Sequence, residues 1–536
     1  MTGALLLAAL VVTADAAKPS GDPLPNLSSM ACVWDGRRLG WTPNDRRPIT
    51  NFVEYVELMT ATGGNAERDL DADFEPLIGL GRKTLAYGLK PYLKLGNVPV
   101  RLTAGCDTRR RKQGGADGGS YGFNIRPPDD YDAYGCYMRS CAVALRVAFG
   151  REEVRRWRFS VLTEANNPGP GGDSGWFAAK GGGNPATLEA FVRLYDVTVK
   201  AFEAELGEGL AIGTHILDPV GEWKSFGYED VIARCRPLRL LPISYYFGEP
   251  NGDAVERAAS SCGLADVVRA AGVLSGLDEG RICFSRPGAK TRDLRTRTVG
   301  QSYQAAFNVR LAKTVLDAGG AYIASWGYFA GRDPLFAGVP TFDYFTAREI
   351  AKFAGMRRCE ARTSGPIPAK EAVDAVVAVS TDGRTLRVML SRLRDKLEFT
   401  NALETTVHVA LPASLRSAGS LSVSLFTLDD RNNWFLDWER ERHARGIADA
   451  DYWASPDDSN PFFSLENGPA KEFFVSRLPV YAEKASRVAP RVSSVAVPPD
   501  GVLSLPVSFV GNGASFVEVE GNARRSKSAL LRRCEK

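Results

Sequence analysis

Short apolar runs alternate with longer amphipathic stretches from about residue 50 to residue 360, and this alternation constrains the fold more than any other feature. The strand candidates are residues 89–95, 157–162, 210–214, 240–246, 281–284 and 321–325. The helix candidates are residues 51–61, 131–149, 188–206, 255–271, 303–318 and 342–353. Regular β-then-α order predicts a parallel sheet wrapped by helices, and the length suits a (β/α)8 barrel. A doubly wound sheet is the alternative, but no glycine-rich dinucleotide fingerprint follows the first strand.

The pattern changes after about residue 365, where short runs follow one another without helical stretches between them. These runs are residues 373–379, 386–390, 406–411, 421–425, 473–475, 502–505 and 516–519. Consecutive short strands separated by turn signals are typical of a β-sandwich. The sequence therefore predicts a TIM barrel over residues 45–360 and a C-terminal β-sandwich over residues 366–525. A strand around residues 31–34 fits either domain.

The only long apolar run lies at the start of the chain, from Leu5 to Val12. It ends in an Ala-x-Ala pattern, which predicts a signal peptide over residues 1–17 with cleavage after Ala16. We therefore expect a secreted or periplasmic protein. The run is too short to span a bilayer, so no membrane insertion is expected.

The net charge and the pattern of histidines and cysteines argue against nucleic-acid binding and against a zinc site. The chain has 67 Lys and Arg against 63 Asp and Glu, and a net charge of +4 over 536 residues argues against a nucleic-acid partner. It has three histidines, nine cysteines without a CxxC pair, and no HExxH sequence, so no zinc site is predicted. Residues 79–84, GLGRKT, differ from a phosphate loop in order and are interpreted as helix. We expect neither a metal nor an organic cofactor.

Function in such a barrel gathers at the carboxyl ends of the strands. The candidates at those ends are Thr163, Glu164, Asn166, Asn167, His215, Asp218, Tyr245, Tyr246, Phe247, Glu249, Ser285, Arg286, Trp326 and Tyr328. Aromatic faces stack on pyranose rings, while amides and carboxylates bind hydroxyl groups. The set therefore indicates a sugar ligand, although aromatic residues in these places also serve as packing.

Several segments, in order and spacing, resemble glycoside hydrolase family 39, the clan A family of β-xylosidases and α-L-iduronidase. The segments are FGREEVRRWRFSVLTEANNPG at 149–169, LKPYLKLGNVP at 89–99, TLEAFVRLYDVTVKAFEAELGEGLAIGTHI at 187–216, PISYY at 242–246, AGVPTFDYFTAREIAKFAGM at 337–356 and FTLDDRNNWFLDWER at 426–440. The resemblance covers most of residues 50–520. It implies a glycosidase that acts on an oligo- or polysaccharide, with Glu164 as the general acid/base.

The chain departs from the family pattern at three positions. Thr163 stands where the family has an Asn that bonds the sugar 2-hydroxyl, and Tyr246 stands where the family has a His. Arg286 stands where the family has its nucleophilic Glu, and an arginine cannot form a glycosyl ester. The side chains expected to bind substrate are Tyr246, Trp326, His215, Arg286 and Asn166.

Three readings follow from Arg286. The chain is a glycosidase whose second carboxylate comes from elsewhere, with Glu249, Asp278, Glu279 and Asp293 as the nearest candidates. Alternatively, Arg286 binds an anionic sugar through a bidentate contact in a hydrolase with altered chemistry. In the third reading, the chain is a catalytically inactive, carbohydrate-binding relative. The sequence leaves the sugar, the linkage, the stereochemistry and the oligomeric state open.

Overall fold

A computed structural model shows the fold of this protein. It describes residues 10–33, 52–58, 74–104, 124–168, 175–179, 184–217, 224–247, 264–272, 275–282, 301–324, 335–336, 339–367, 370–394, 396, 399–447 and 468–522. The described helices are α1 Glu75–Ala86, α2 Tyr131–Phe149, α3 Arg151–Val154, α4 Asn184–Leu206, α5 Tyr228–Arg234, α6 Leu264–Ala271, α7 Ser302–Ala318, α8 Phe342–Ala351, α9 Ala413–Arg416, α10 Trp434–Ala444 and α11 Gly468–Ser486.

The strands fall into a first group of parallel pairs and a second, largely antiparallel group. In chain order they are β1 Leu10–Asp15, β2 Ser20–Pro23, β3 Met30–Val33, β4 Tyr55–Leu58, β5 Lys90–Leu95, β6 Arg158–Val161, β7 Ala211–Thr214, β8 Ile216–Leu217, β9 Ile243–Phe247, β10 Leu277–Ile282, β11 Leu335–Phe336, β12 Val339–Pro340, β13 Arg357–Cys359, β14 Ala361–Ser364, β15 Glu371–Val379, β16 Thr385–Arg394, β17 Ala402–Ala410, β18 Ser420–Asp429, β19 Arg491–Val495, β20 Val502–Val510 and β21 Gly513–Asn522.

Strands β3 to β7 form one parallel sheet in chain order, and β8 to β10 form a second. The two sheets meet at Gly213, which bridges Leu240 in parallel register. A Cβ atom at Gly213 would lie 1.7 Å from the Leu240 carbonyl oxygen, so only glycine permits this approach. Near the outer strands of the two sheets, β3 and β10, Ile323 N–H donates to the Leu27 carbonyl and Ala321 N–H donates to the Ser275 carbonyl, each at 2.8 Å. Residues 321–324 therefore link the last described parallel strand to the first.

Helix α2 illustrates how local sequence sets the element boundaries. The Asp130 side chain accepts hydrogen bonds from the amides of Asp132 and Ala133 at 2.8 and 3.2 Å, which caps the helix N-terminus. Gly150, with φ of 81°, ends the helix in a conformation that suits glycine. The buried face of α2 packs mainly against α4 and fixes both helices outside the parallel strands.

Apart from the short antiparallel pair β11-β12, the second group of strands makes two sheets that share one hydrophobic core. Their orders are β14-β1-β17-β20 and β19-β18-β21-β16-β15-β13-β2. Apolar residues of both sheets, such as Val12, Val409, Val377 and Val519, meet in this core. Strand β1 is an inner strand, because it pairs antiparallel with β14 and parallel with β17.

Helix α7 joins the parallel strands to the second group of strands. The Ser302 hydroxyl donates to Asp430 Oδ1 at 2.5 Å, and the Arg310 guanidinium forms an ion pair with the Asp374 carboxylate. A separate aromatic cluster, centred on Trp434, Trp438 and Tyr481, holds α10 against α11.

The structure corrects three element predictions. Residues 55–58 form a parallel strand rather than part of a helix over 51–61, because the short run is buried between β3 and β5. Residues 473–475 lie in helix α11, not in a strand, because Phe473 and Phe474 pack on the tryptophans of α10. Strand β10 runs from Leu277 to Ile282, earlier than the predicted 281–284.

Two strands near the start of the chain, β1 and β3, lie outside the residue ranges predicted for the two domains. The strand expected around residues 31–34 belongs to the parallel sheet, although it precedes residue 45. The predicted leader includes β1, whose Leu10 and Val12 are buried in the core of the second group. Within the described part of the chain, no helix is both long and apolar enough to cross a membrane.

Candidate functional site

Glu164 lies in the loop that follows β6, where its side chain is only 2% exposed. The loop backbone is unusual, because Leu162 and Glu164 have φ values of 65° and 42°. Non-glycine residues in the left-handed region cost about 1–3 kcal/mol each, and they persist only where the surroundings hold them. The position predicted for the acid/base is therefore a strained and buried one.

The carboxylate of Glu164 is held by its own loop. Glu164 Oε2 accepts a hydrogen bond from Asn167 Nδ2 at 2.6 Å, and the Glu164 carbonyl accepts from the Asn167 amide at 2.8 Å. The short side-chain bond fixes one carboxylate oxygen in the loop that connects β6 to α4. A carboxyl group oriented in this way can exchange a proton with a molecule at the strand ends without first reorganising.

Asn166 is fully buried and bonds protein backbone on the next loop. Its Nδ2 donates to the carbonyls of Leu217 and Phe226 at 3.2 and 3.1 Å, and its Oδ1 accepts from the Leu217 amide at 2.7 Å. The Asn166 carbonyl also accepts from the amide of Ser225. The Asn166 side chain, predicted to bind substrate, thus connects the loop after β6 to the segment of residues 217–226.

His215 lies behind Glu164 and is fully buried. Its Nδ1 is 2.7 Å from Lys94 Nζ and its Nε2 is 2.7 Å from Ser244 Oγ. The Glu164 amide donates to the same Nδ1 at 3.2 Å. Burial, and secondarily the charge of Lys94, hold the pKa of His215 well below its usual range, which keeps the ring neutral. The side chain of this predicted wall residue therefore bonds protein groups through both ring nitrogens.

Lys94 also forms an ion pair with Glu57 at 2.5 Å, and both side chains are fully buried. This pair is not among the site residues predicted from the sequence. The signal was present, because a lysine in the apolar strand LKPYLKL has no place in a packed core unless a partner balances its charge.

Two further buried polar atoms lie in the loops that follow β5 and β6. Asn97 donates through Nδ2 to the Trp176 carbonyl at 2.8 Å, while its Oδ1 has no hydrogen-bond partner among the described residues. The Thr163 hydroxyl, next to Glu164, likewise has none within the described ranges. Because buried polar atoms are normally paired, both atoms are candidates to bind a hydroxylated ligand.

The remaining predicted site residues cannot be placed. Arg286 and Trp326 lie outside the described residues, and of Tyr246 only the backbone is described, paired with Arg281. Asp278 and Glu279 fall within β10 rather than before it, which corrects their predicted position. Across the described ranges, no group of three His, Cys, Asp or Glu side chains is arranged to hold a metal ion.

Proteins of known structure with a similar arrangement of elements include enzymes of glycoside hydrolase family 39. The chain resembles this family. A family 39 enzyme from Xanthomonas axonopodis pv. citri matches with a TM-score of 0.64 and 16% identity over 97% of this chain and 99% of that one. A monomeric β-xylosidase from Caulobacter crescentus CB15 matches with a TM-score of 0.64 and 15% identity over 96% of this chain and 100% of that one.

A bacterial orthologue of human α-L-iduronidase is also similar, with a TM-score of 0.61 and 14% identity over 96% of this chain and 84% of that one. Among curated sequences, a β-xylosidase from Caldicellulosiruptor saccharolyticus is 29% identical over 128 residues, which span 23% of this chain and 22% of the xylosidase. No protein-family model matches the chain.

These comparisons define the fold and the relatives. The described helices and sheets form an α/β fold, and the family 39 neighbours imply that this fold contains a TIM barrel. Its named relatives are glycoside hydrolases, and glycoside hydrolases act on saccharides. A fold does not determine an activity, so the function of this chain has to be argued from the site.

Proposed function

We propose that the chain binds and hydrolyses a glycoside at the carboxyl ends of its parallel strands, with Glu164 as the general acid/base. The observation that carries this proposal is the buried Glu164 carboxylate, held by Asn167 on a strained loop after β6. General acid/base catalysis requires a carboxyl group that is placed before the substrate arrives. The expected ligand is an oligo- or polysaccharide, and the expected mechanism needs no metal or cofactor.

The hydroxyl-binding groups in this proposal are Asn97 Oδ1 and the Thr163 hydroxyl. Asn97 follows β5, Thr163 follows the adjacent strand β6, and both residues are buried. Thr163 would replace the asparagine that family 39 has before its acid/base. Tyr246 and Trp326 are proposed as the aromatic walls and Arg286 as a further contact, on the sequence resemblance alone.

The test is the substitution Glu164→Gln, assayed on aryl glycosides with leaving groups of different acidity. Loss of a general acid typically costs about 10²–10⁴ in rate. The loss should be largest for poor leaving groups, because these depend most on protonation of the departing oxygen. Glu152→Gln, at an exposed glutamate of α3, is the matched control and should retain full activity. Equal activity of Glu164→Gln and wild type would remove Glu164 from the mechanism.

A second candidate function is carbohydrate binding without hydrolysis, and the presence of Arg286 at the family's nucleophile position favours it. In that case wild type binds a saccharide by calorimetry but turns over neither neutral nor acidic aryl glycosides. The substitution Arg286→Glu separates the readings. A gain of hydrolysis would indicate a degenerate hydrolase, whereas a loss of binding to uronic acid glycosides alone would indicate recognition of an anionic sugar.

Two organisational proposals accompany the function. We infer that the two sheets of the second group form a β-sandwich accessory domain, since their apolar faces share one core. Export of the protein remains a prediction. Cleavage after Ala16 would remove β1, which is bonded on both sides, so a processed form would lack an inner strand of this domain.

A further inference from the structure

A row of buried polar side chains crosses the parallel strands and bonds the backbone amide of Glu164, and the proposed mechanism does not use it. Glu57 comes from β4, Lys94 from β5 and Ser244 from β9, and His215 follows β7. All four are fully buried. Burying two charges and an imidazole costs free energy that apolar residues would not cost, so the row needs a reason beyond packing.

The hydrogen-bond chemistry of this row determines the tautomer of His215. An ammonium group has only donors, so Lys94 Nζ must donate to His215 Nδ1. The neutral ring then carries its hydrogen on Nε2, which donates to Ser244 Oγ. Nδ1 is consequently an acceptor, and it faces both the Lys94 ammonium and the amide of Glu164.

His215 also bonds the residue after Glu164. The Ala165 amide donates to the His215 carbonyl at 2.8 Å, while the Glu164 amide donates to His215 Nδ1 at 3.2 Å. His215 therefore accepts hydrogen bonds from two consecutive backbone amides of the strained loop. A non-glycine residue at φ of 42° keeps this conformation only while such contacts hold it.

We propose that His215 is a positioning residue that fixes the backbone of Glu164 through Nδ1, and that Lys94 and Ser244 orient its ring for this purpose. The effect of His215 on catalysis rests on the proposed function of Glu164. Its effect on the Glu164 backbone does not depend on any activity. Glu57 takes part by balancing the charge of Lys94 at 2.5 Å.

Two substitutions at the same site separate positioning from packing. In His215→Asn, the side-chain oxygen lies two bonds from Cβ, as Nδ1 does, so an acceptor for the Glu164 amide remains. In His215→Gln, the amide lies three bonds from Cβ, as Nε2 does, so contact with Ser244 is kept and the acceptor is lost. His408→Gln is the control, because His408 Nδ1 bonds Ser504 at 2.8 Å between β17 and β20, away from the site.

The first measurement is amide hydrogen exchange of the peptide that contains Glu164 and Ala165. We expect wild-type protection in His215→Asn and at least about tenfold faster exchange in His215→Gln, with exchange of α7 unchanged. The second measurement is steady-state kinetics. A misplacement of about 1 Å can cost about 10²-fold in rate, so kcat should fall by about that factor in His215→Gln, with KM within a few-fold. The Asn variant should stay within about tenfold of wild type.

Equal exchange in the Asn and Gln variants, or a change in KM alone, would overturn the inference. If wild type turns over no glycoside, the proposed function fails while the exchange measurement still decides the positioning. If the Gln variant does not fold, nitrogen-15 spectra of the wild-type histidines decide instead, and the chain has only three. A His215 hydrogen on Nδ1 at neutral pH would refute the proposal.

Discussion

The ion pair between Glu57 and Lys94 allows a sharp prediction of stability. Both side chains are 0% exposed and the charged atoms are 2.5 Å apart. Glu57→Gln changes the shape of the side chain little but removes the negative charge, which leaves the buried Lys94 ammonium without that carboxylate. Breaking a buried pair from one side costs about 3–5 kcal/mol. At about 4 kcal/mol, the unfolding equilibrium shifts by about three orders of magnitude.

The reverse substitution, Lys94→Met, should cost a similar amount, because it leaves the Glu57 carboxylate buried without the ammonium. The double variant Glu57→Gln/Lys94→Met removes both charges and should be less destabilised than either single variant, within about 2 kcal/mol of wild type. The sum of the two single effects would then exceed the effect of the double by several kcal/mol, which is the signature of direct coupling.

The assay is urea unfolding at neutral pH, followed by tryptophan fluorescence. Glu75→Gln is the matched control, because Glu75 pairs with Arg82 at 3.3 Å while both side chains are about 60% exposed. Exposed pairs contribute about 0–1 kcal/mol, so this variant should unfold close to wild type. Additive single effects, or a Glu57→Gln variant as stable as the control, would refute the reasoning.

Two further predictions concern the second group of strands. Deletion of residues 1–16 should destabilise this group, since β1 is bonded on both sides, and limited proteolysis should cut the truncated chain within residues 366–525 much faster than the full chain. Burial raises the pKa of Asp430 to about 6, so the folded state binds a proton that the unfolded chain holds only at lower pH. Stability from this group is present at pH 4 and is lost as the pH rises through about 6. The free energy of unfolding of Asp430→Asn should therefore exceed that of wild type by about 2–3 kcal/mol at pH 7.5 and equal it at pH 4. Thermal unfolding in both buffers measures the two differences, and equal differences at the two pH values would contradict the assignment.

Most elements of the parallel-strand region could be predicted from sequence, including the short strands Lys90–Leu95, Arg158–Val161 and Ala211–Thr214. Tyr131–Phe149 has the predicted bounds because an aspartate cap and a terminal glycine mark both ends. Tyr55–Leu58 was mistaken for helix, since four apolar-rich residues carry too little periodicity to distinguish the two structures. The reason differs for helix α11, where a strand was predicted over residues 473–475: its aromatic residues face another helix that the local pattern does not reveal.

The same limit applies to the site. Glu164 was found because a family-like motif surrounds it, but its neighbours come from strands that are far apart in sequence. Lys94 and His215 are separated by 121 positions and meet at 2.7 Å only after the parallel strands are assembled. Asn166 was expected to face a ligand, yet its bonds to Leu217 and Phe226 depend on a loop 51–60 residues further along the chain. Residue type gave the chemistry of these side chains and the tertiary contacts gave their roles.

The distribution of backbone strain supports a functional interpretation of the Glu164 loop. Of the three described non-glycine residues with positive φ, two are Leu162 and Glu164, and the third, Lys370, directly precedes β15. Strain that surrounding contacts maintain is an observation from which function can be inferred. The contacts that maintain it here are costly themselves, since they include a buried imidazole and a buried ion pair. A packing role would be served at lower cost by apolar residues, so the arrangement is best explained by the placement of one carboxylate. Both a hydrolase and a binding relative would need that placement of Glu164, but only a hydrolase needs a second carboxylate opposite it. A distance of about 5–5.5 Å between the two carboxyl groups implies a retaining hydrolase, and a distance of about 6.5–9.5 Å implies an inverting one.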